Sequence, residues 1–339
     1  LDEVVPLLFD HSLHNGHPKF MGYITSSAAP LGALADLLAA AANPNLGKWE
    51  LSPVATEIEL RALRWISEFI GYAPEASGVM VSGGNMANIV AFVAARTAKA
   101  PWDIRKQGNH GDDRLMTASV SAEAHTWVDK AADICGLGAE AVRWIETDAE
   151  GRMRVDALEL QIATDRKAGR LPFLVVGTGG SVQTGVVDPL RALAAVCERE
   201  DLWFHVDGAY GAPAAALPES PADLHALELA DSIAVDPHKW LYCPIEVACT
   251  LTKHPDALTN AFSFKPAYYR VVDSDVPTTD FYEYGMQNTR GFRALKVWLM
   301  LRAAGRQGYE QAIRDDIRLA ERLFAAVGAH AEFEPRGVS

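Results

Sequence analysis

The chain has 339 residues, 49% of them hydrophobic and 22% charged, and a formal net charge of −13. This is the makeup of an ordinary soluble globular protein, too long for one small core, and no basic stripe offsets the carboxylates, which argues against nucleic acid and acidic membranes as partners. No stretch reaches the apolar length of a membrane span, and Cys135, Cys197, Cys243 and Cys249 lack zinc-knuckle spacing, so the expectation is no membrane, no metal and a reduced, cytoplasmic location.

Residues 1–20 carry acids and three histidines where a secretory leader needs an apolar run. From about residue 77 to residue 252, short Val- and Ile-rich runs alternate with stretches of helical spacing. In order they are GVMVS and NMANIVAFVAARTAKA, RLMTASVS and TWVDKAADICGLG, AVRWIE and DALELQIATDRKAG, PFLVVGT and DPLRALAAVCERE, then LWFHVD and SIAVD. The pattern predicts an α/β domain with a mainly parallel sheet. Two helices follow, FRALKVWLMLRAAG and QAIRDDIRLAERLFAAVG, the second stopping at Gly328, and the closing HAEFEPRGVS reads as the opening of a small domain that ends abruptly. The expected organisation is an N-terminal segment over 1–70, a large domain over 71–290, and connecting helices with the start of a truncated C-terminal domain over 291–339.

Ligands in open α/β sheets bind beyond the carboxyl ends of the strands. Four polar clusters fall at such ends: SGGN at 82–85, EAH at 123–125, DGAYG at 207–211 and DPHK at 236–239. Gly83 and Gly84 permit a tight turn, and the helix beginning near Asn85 would aim unpaired N–H groups at an anion. Lys239, among Val235, Trp240 and Leu241, would sit in a largely apolar neighbourhood that favours its neutral, nucleophilic amine. Asp207, closing LWFHV, is costly to bury without a partner. Singly, these are also an ordinary loop, a lysine reaching solvent and an Asp-Gly turn. Together they fit a site for pyridoxal 5′-phosphate, with lysine on the aldehyde, aspartate on the ring nitrogen and a helix N-terminus on the phosphate. His125 would then lie against one ring face and the small Ala209 would let the other face approach, while His238 reaches either the phosphate or the substrate carboxylate.

The segments HVDGAYGAP, DSIAVDPHKWLYCP, SAEAHTWVDKA, VSGGNMAN, HPKFMGYITSSAAPLGALADLL and LSPVATEIE, running on through LTNAFSFKPAYY to TRGFRALKVWLML, resemble the group II pyridoxal-phosphate-dependent amino acid decarboxylases. The resemblance implies the aspartate aminotransferase fold (fold type I) with a seven-stranded sheet, a small C-terminal domain mostly absent, and a homodimer with shared active sites. It implies Lys239 as the Schiff-base lysine, Asp207 against the pyridinium, His125 stacking on the ring, and Gly84, Asn85, Ser232, Asp236 and His238 around the phosphate. It implies Tyr268, in a loop, as the proton donor, in preference to Tyr269. Asp236 stands where the aromatic branch often has asparagine, and Val182 near a position where a hydroxyl is frequent, with Ser181 or Thr184 as substitutes.

The family's specificity segments correspond here to GYITS, with Tyr23, Ile24 and Thr25, and to NPNLGKWE, which would reach the partner's site and contains Trp49. Tyr23, Ile24 and Trp49 favour an aromatic side chain, and Gly47 suggests a roomy pocket. Lys19, Lys48 or Arg290, placed in the pocket, would instead favour glutamate, aspartate or a sulfinate. The expected activity is decarboxylation of an aromatic L-amino acid, with acidic amino acid decarboxylation or an aldehyde synthase on the same scaffold as alternatives. A binding or assembly protein that has kept the fold is a further reading.

Overall fold

The computed structural model describes residues 1–24, 26–265 and 278–333. Seven strands form one sheet: β1 (Ser77–Val81), β2 (Met116–Ser121), β3 (Val142–Ile145), β4 (Leu171–Thr178), β5 (Trp203–Asp207), β6 (Ser232–Val235) and β7 (Ala248–Thr252), in the order β1-β7-β6-β5-β4-β2-β3. β3, β2, β4, β5 and β6 pair in parallel, and β7 runs antiparallel to both neighbours. Every residue of β2, β5, β6 and β7 is buried, so these strands read as continuous apolar or small-residue runs instead of alternating. That is the mark of a sheet covered on both faces. β7 escapes the strand-then-helix rhythm of the sequence because no helix separates it from β6.

The helices are α1 (Val4–Asp10), α2 (Pro30–Ala42), α3 (Pro53–Phe69), α4 (Gly84–Lys99), α5 (Ile104–Gln107), α6 (Trp127–Ile134), α7 (Val155–Lys167), α8 (Leu190–Arg199), α9 (Ala257–Phe262) and α10 (Ala294–Gly328). α2 and α3 each begin with proline in the first turn, where its missing N–H costs nothing, and α2 stops at Asn43 in the left-handed conformation. The small buried face of α4, with Ala87, Ala91, Ala94 and Ala95, lets it lie close across β4 to β7. α7 and α8 pack on β4, α6 packs on β3, and α2 and α3 pack on α10. The two expected terminal helices are continuous as α10 apart from a backbone break at Gly305 (φ 64°, ψ 176°), a conformation that suits glycine.

Trp127, Phe92, Phe173 and Phe204 are among the largest fully buried side chains. Each such burial contributes roughly 1.5–3 kcal/mol before the cost of ordering the chain. The core thereby holds the carboxyl ends of β1, β2, β4, β5 and β6 at one edge of the sheet. Among the described residues no helix is long and apolar enough to cross a membrane.

Candidate active site

A cavity of about 550 Å³ opens at that edge, and its walls include Gly83, Gly84, Asn85, His125, Asp207, Ala209, Asp236, His238 and Lys239. The four clusters at 82–85, 123–125, 207–211 and 236–239 thus meet in one place, brought there by β1, β2, β5 and β6. A larger groove of about 880 Å³ between α3 and α10 is lined by Trp65, Phe69 and Trp298 and lies apart from the strand ends. Volume alone would have chosen it. The convergence of ionisable groups favours the smaller cavity.

Gly83 turns from β1 into α4 with φ +146°, a conformation that strains any side chain. Gly84 faces Asp236 so closely that a Cβ there would lie 2.6 Å from Asp236 Oδ2. No side chain caps α4, so its first-turn N–H groups remain available to an anion.

Asp207, 9% exposed, ends β5. Its Oδ2 accepts the indole N–H of Trp127 at 2.8 Å, and its Oδ1 accepts the backbone N–H of Ala209 at 3.2 Å. Two residues earlier on the same side of the strand, His205 is wholly buried, with Nε2 2.7 Å from Asn88 Oδ1 and Nδ1 2.9 Å from Ser232 Oγ. Burial pushes the pKa of His205 down to about 4, against the pull of Asp207, so the imidazole is neutral at pH 7.

Past β6 the chain turns back through a bond from Lys239 N–H to the Asp236 carbonyl. Lys239 Nζ lies 3.3 Å from Asp236 Oδ2, and His238 Nε2 lies 3.7 Å from the same oxygen. His238 Nδ1 is 2.7 Å from the Val247 carbonyl, which assigns it the proton and leaves Nε2 to the cavity. Asp236 Oδ1 is buried with no hydrogen-bond partner among the described residues. Burial raises the pKa of Asp236, opposed by Lys239 and His238. The partnerless Oδ1 points to a group that completes the site.

The structure places other residues differently from the sequence reading. Ser232 opens β6 instead of following it; at roughly 3.3 Å per residue it stands about 13 Å from Asp236. Its hydroxyl accepts the Trp203 indole N–H at 2.9 Å and serves His205, so it is not a phosphate ligand. Ile24 lines the cavity, and Tyr23 lines an adjoining one of about 650 Å³ that shares Ile24, Tyr210 and Lys239. Trp49 does not reach its own chain's cavity; its indole N–H donates to Glu57 at 3.1 Å. Gly47 makes no room for a ligand, because a Cβ there would lie 2.0 Å from the Asn288 carbonyl oxygen. Arg290 is buried against Glu59 at 2.5 Å, the Met80 carbonyl at 2.7 Å and the Phe281 ring, and Lys48 pairs with Glu50 at 2.6 Å. Ser181 and Thr184 bond each other at 2.9 Å, while Val182 lines the cavity. Thr25, Tyr268 and Tyr269 lie outside the described residues. Trp127, Asn88 and Ile245 also line the walls without having been singled out individually in the sequence, and Tyr210, inside the DGAYG cluster, joins them.

These residues fit pyridoxal 5′-phosphate: an amine at Lys239, a carboxylate at Asp207 in the same cavity, and a glycine turn with free N–H groups beside an oxygen lacking a partner. The pyridoxal-dependent decarboxylase conserved domain matches residues 4–335. Aromatic-L-amino-acid decarboxylase of Bacillus atrophaeus is 36% identical over 328 residues, covering 96% of this chain and 66% of that protein. The acidic amino acid decarboxylase GADL1 of Homo sapiens is 34% identical over 315 residues, 92% of this chain and 60% of its own length. Oryza sativa TDC, solved with PLP and tryptamine, superposes with a TM-score of 0.87 at 28% identity, over 97% of this chain and 70% of that one. The chain thus spans about two thirds or less of the curated relatives it matches. With this sheet, this cavity and these likenesses, the chain belongs to the pyridoxal-dependent decarboxylase family, and its cofactor is pyridoxal 5′-phosphate.

Proposed function

We propose that the protein decarboxylates an aromatic L-amino acid to its amine and carbon dioxide. One observation carries the proposal: Lys239, Asp207 and His125, from the ends of three strands, line a single cavity able to hold the cofactor. When bound, pyridoxal phosphate supplies a protonated ring that delocalises the electron pair left as carbon dioxide departs. Lys239 would hold the cofactor through its aldehyde. Asp207 keeps the proton on the ring nitrogen. The first turn of α4, from Gly84 through Asn85, would hold the phosphate, with His238 Nε2 and Asp236 completing that end. His125 covers one ring face and Ala209 admits the other. Tyr268 returns a proton to the α-carbon, an assignment that rests on the sequence resemblance alone.

The aromatic preference draws support from the adjoining cavity, where Tyr210 stacks on Trp240 at 5.0 Å and Tyr23, Tyr242 and Phe324 add apolar surface. Among the described residues lining it, Lys239 is the one lysine or arginine, and Asp316 and Glu321 are acidic. An acidic substrate side chain would meet carboxylates there, and the ion pairs of Arg290 and Lys48 engage both with acids of this chain. A homodimer with shared sites is supported by α2, whose Leu34, Leu37 and Leu38 are 62%, 67% and 56% exposed. The four cysteines form no disulfide, in keeping with a reducing, cytoplasmic location.

Incubation with pyridoxal phosphate and a panel of tryptophan, tyrosine, phenylalanine, DOPA, glutamate, aspartate and cysteine sulfinate, following amine, aldehyde and carbon dioxide, tests the reading. Amine and carbon dioxide from the aromatic members are expected. Turnover confined to acidic members would overturn the substrate class, and aldehyde in place of amine would overturn the reaction.

A further inference from the structure

Asp207 is a buried acid whose carboxylate accepts one hydrogen bond from a side chain, the Trp127 indole, and one from the Ala209 backbone N–H. We infer that Trp127 is a positioning residue for Asp207, its indole N–H holding the carboxylate aimed so that the proton stays on the cofactor's ring nitrogen. The inference rests on the proposed function and goes beyond it, because it assigns to α6 a part in the electronics of the site.

Trp127 is 1% exposed and opens α6 two residues after His125, whose Nδ1 accepts the Trp127 backbone N–H at 3.2 Å. Its indole is wedged edgewise between Phe92, at 6.4 Å and 83°, and His205, at 6.0 Å and 88°. The ring therefore cannot swing away without displacing core side chains, and Nε1 stays 2.8 Å from Asp207 Oδ2. An indole is a donor only and does not titrate, so this bond persists at any working pH. His205 cannot substitute, since Asn88 and Ser232 engage both of its ring nitrogens.

A donor to a desolvated carboxylate stabilises its charged form. Without the indole N–H the carboxylate is no longer held facing the ring nitrogen, whose proton is then kept less firmly, and the ring loses electron-withdrawing power. The titratable groups that bear on this balance are His205 on the same strand and Asp236, His238, Lys239 and His125 around the cavity. Among the described residues none of these groups hydrogen-bonds the Asp207 carboxylate, so Trp127 and the Ala209 N–H set its orientation.

Trp127→Phe keeps an aromatic ring and removes the donor. Benzothienylalanine at 127, with sulfur in place of the indole N–H, keeps the shape as well and decides the matter if the phenylalanine variant fails to fold. The full chain is loaded with pyridoxal 5′-phosphate isotopically labelled at the ring nitrogen, and NMR reads that nitrogen's protonation against pH in the loaded fraction. The expected result is a ring nitrogen that loses its proton at lower pH than in the wild type, with kcat down roughly 10- to 100-fold and KM changed far less, the range for a charge-assisted bond in a buried site. An unchanged nitrogen shift and pH profile in a folded, loaded variant would overturn the inference, whatever happened to thermal stability. A wild-type chain that binds no cofactor would instead refute the proposed function itself, and the inference would go with it.

Discussion

Replacing Asp207 by Asn changes one charge and almost no volume at a position that is 9% exposed. Without cofactor, the amide oxygen can still accept the Trp127 indole N–H, but the amide NH2 then faces the Ala209 N–H, and one weak bond at 3.2 Å is lost. The cost of that bond, about 1 kcal/mol, is offset in part because no charge remains to be desolvated. Urea unfolding of the cofactor-free protein should therefore move by no more than about 1 kcal/mol. The loaded protein behaves differently, because an amide cannot balance a protonated ring nitrogen. Breaking a buried ion pair by removing one partner costs roughly 3–5 kcal/mol, so turnover should fall by about 100- to 1,000-fold or more. The phosphate end at Gly84, Asn85 and His238 is untouched, and cofactor affinity should fall much less than kcat. Amine release under saturating substrate, paired with a cofactor titration, separates the two effects. Wild-type turnover, or a loss of affinity as large as the loss of turnover, would refute the role given to Asp207.

Lys239→Ala should remove both turnover and the visible band of lysine-bound cofactor; substantial remaining amine release would exclude Lys239 as the attachment point. Gly47→Ala drives a Cβ to 2.0 Å from the Asn288 carbonyl and should destabilise the fold by roughly 1–3 kcal/mol in urea, while an unchanged midpoint would mean the two backbones separate freely. His205, with its pKa lowered from 6.5 to about 4, binds a proton in the unfolded chain before it does so in the folded one, so its contribution to stability is lost as pH falls from 6.5 toward 4. Asp188, raised to about 6 by burial, acts with the opposite sign in nearly the same window, so the clean quantity is a difference between proteins. His205→Gln should abolish up to about 3 kcal/mol of the acid-dependent loss, and parallel stability-against-pH curves for the two proteins would disprove this.

The sheet was readable because its strands are short apolar runs between helices of regular spacing, and the site because parallel strands deliver their last residues to one edge. Asp207 and Lys239 announced themselves as charges where charge is expensive. Contacts that span the chain left no such signal. Arg290 looked like a cation available to substrate until Glu59, 231 residues away, was seen to bind it. Gly47 looked like empty space and is a close backbone approach. Ser232, carried over by resemblance, belongs to the wrong end of its strand. The Trp127 to Asp207 bond joins residues 80 apart, and neither periodicity nor motif spacing encodes it.

Beyond the break at Gly305, α10 carries Asp316, which accepts hydrogen bonds from the Trp240 indole at 2.8 Å and from the Tyr242 hydroxyl. Both donors lie within three residues of Lys239. The helix acts as a splint on the loop that carries Lys239, and any tilt about the glycine would be transmitted to that loop through the Asp316 carboxylate and through Tyr309, whose hydroxyl donates to the Leu241 carbonyl at 3.1 Å. Positioning Lys239 and seating the last long helix are thereby mechanically linked.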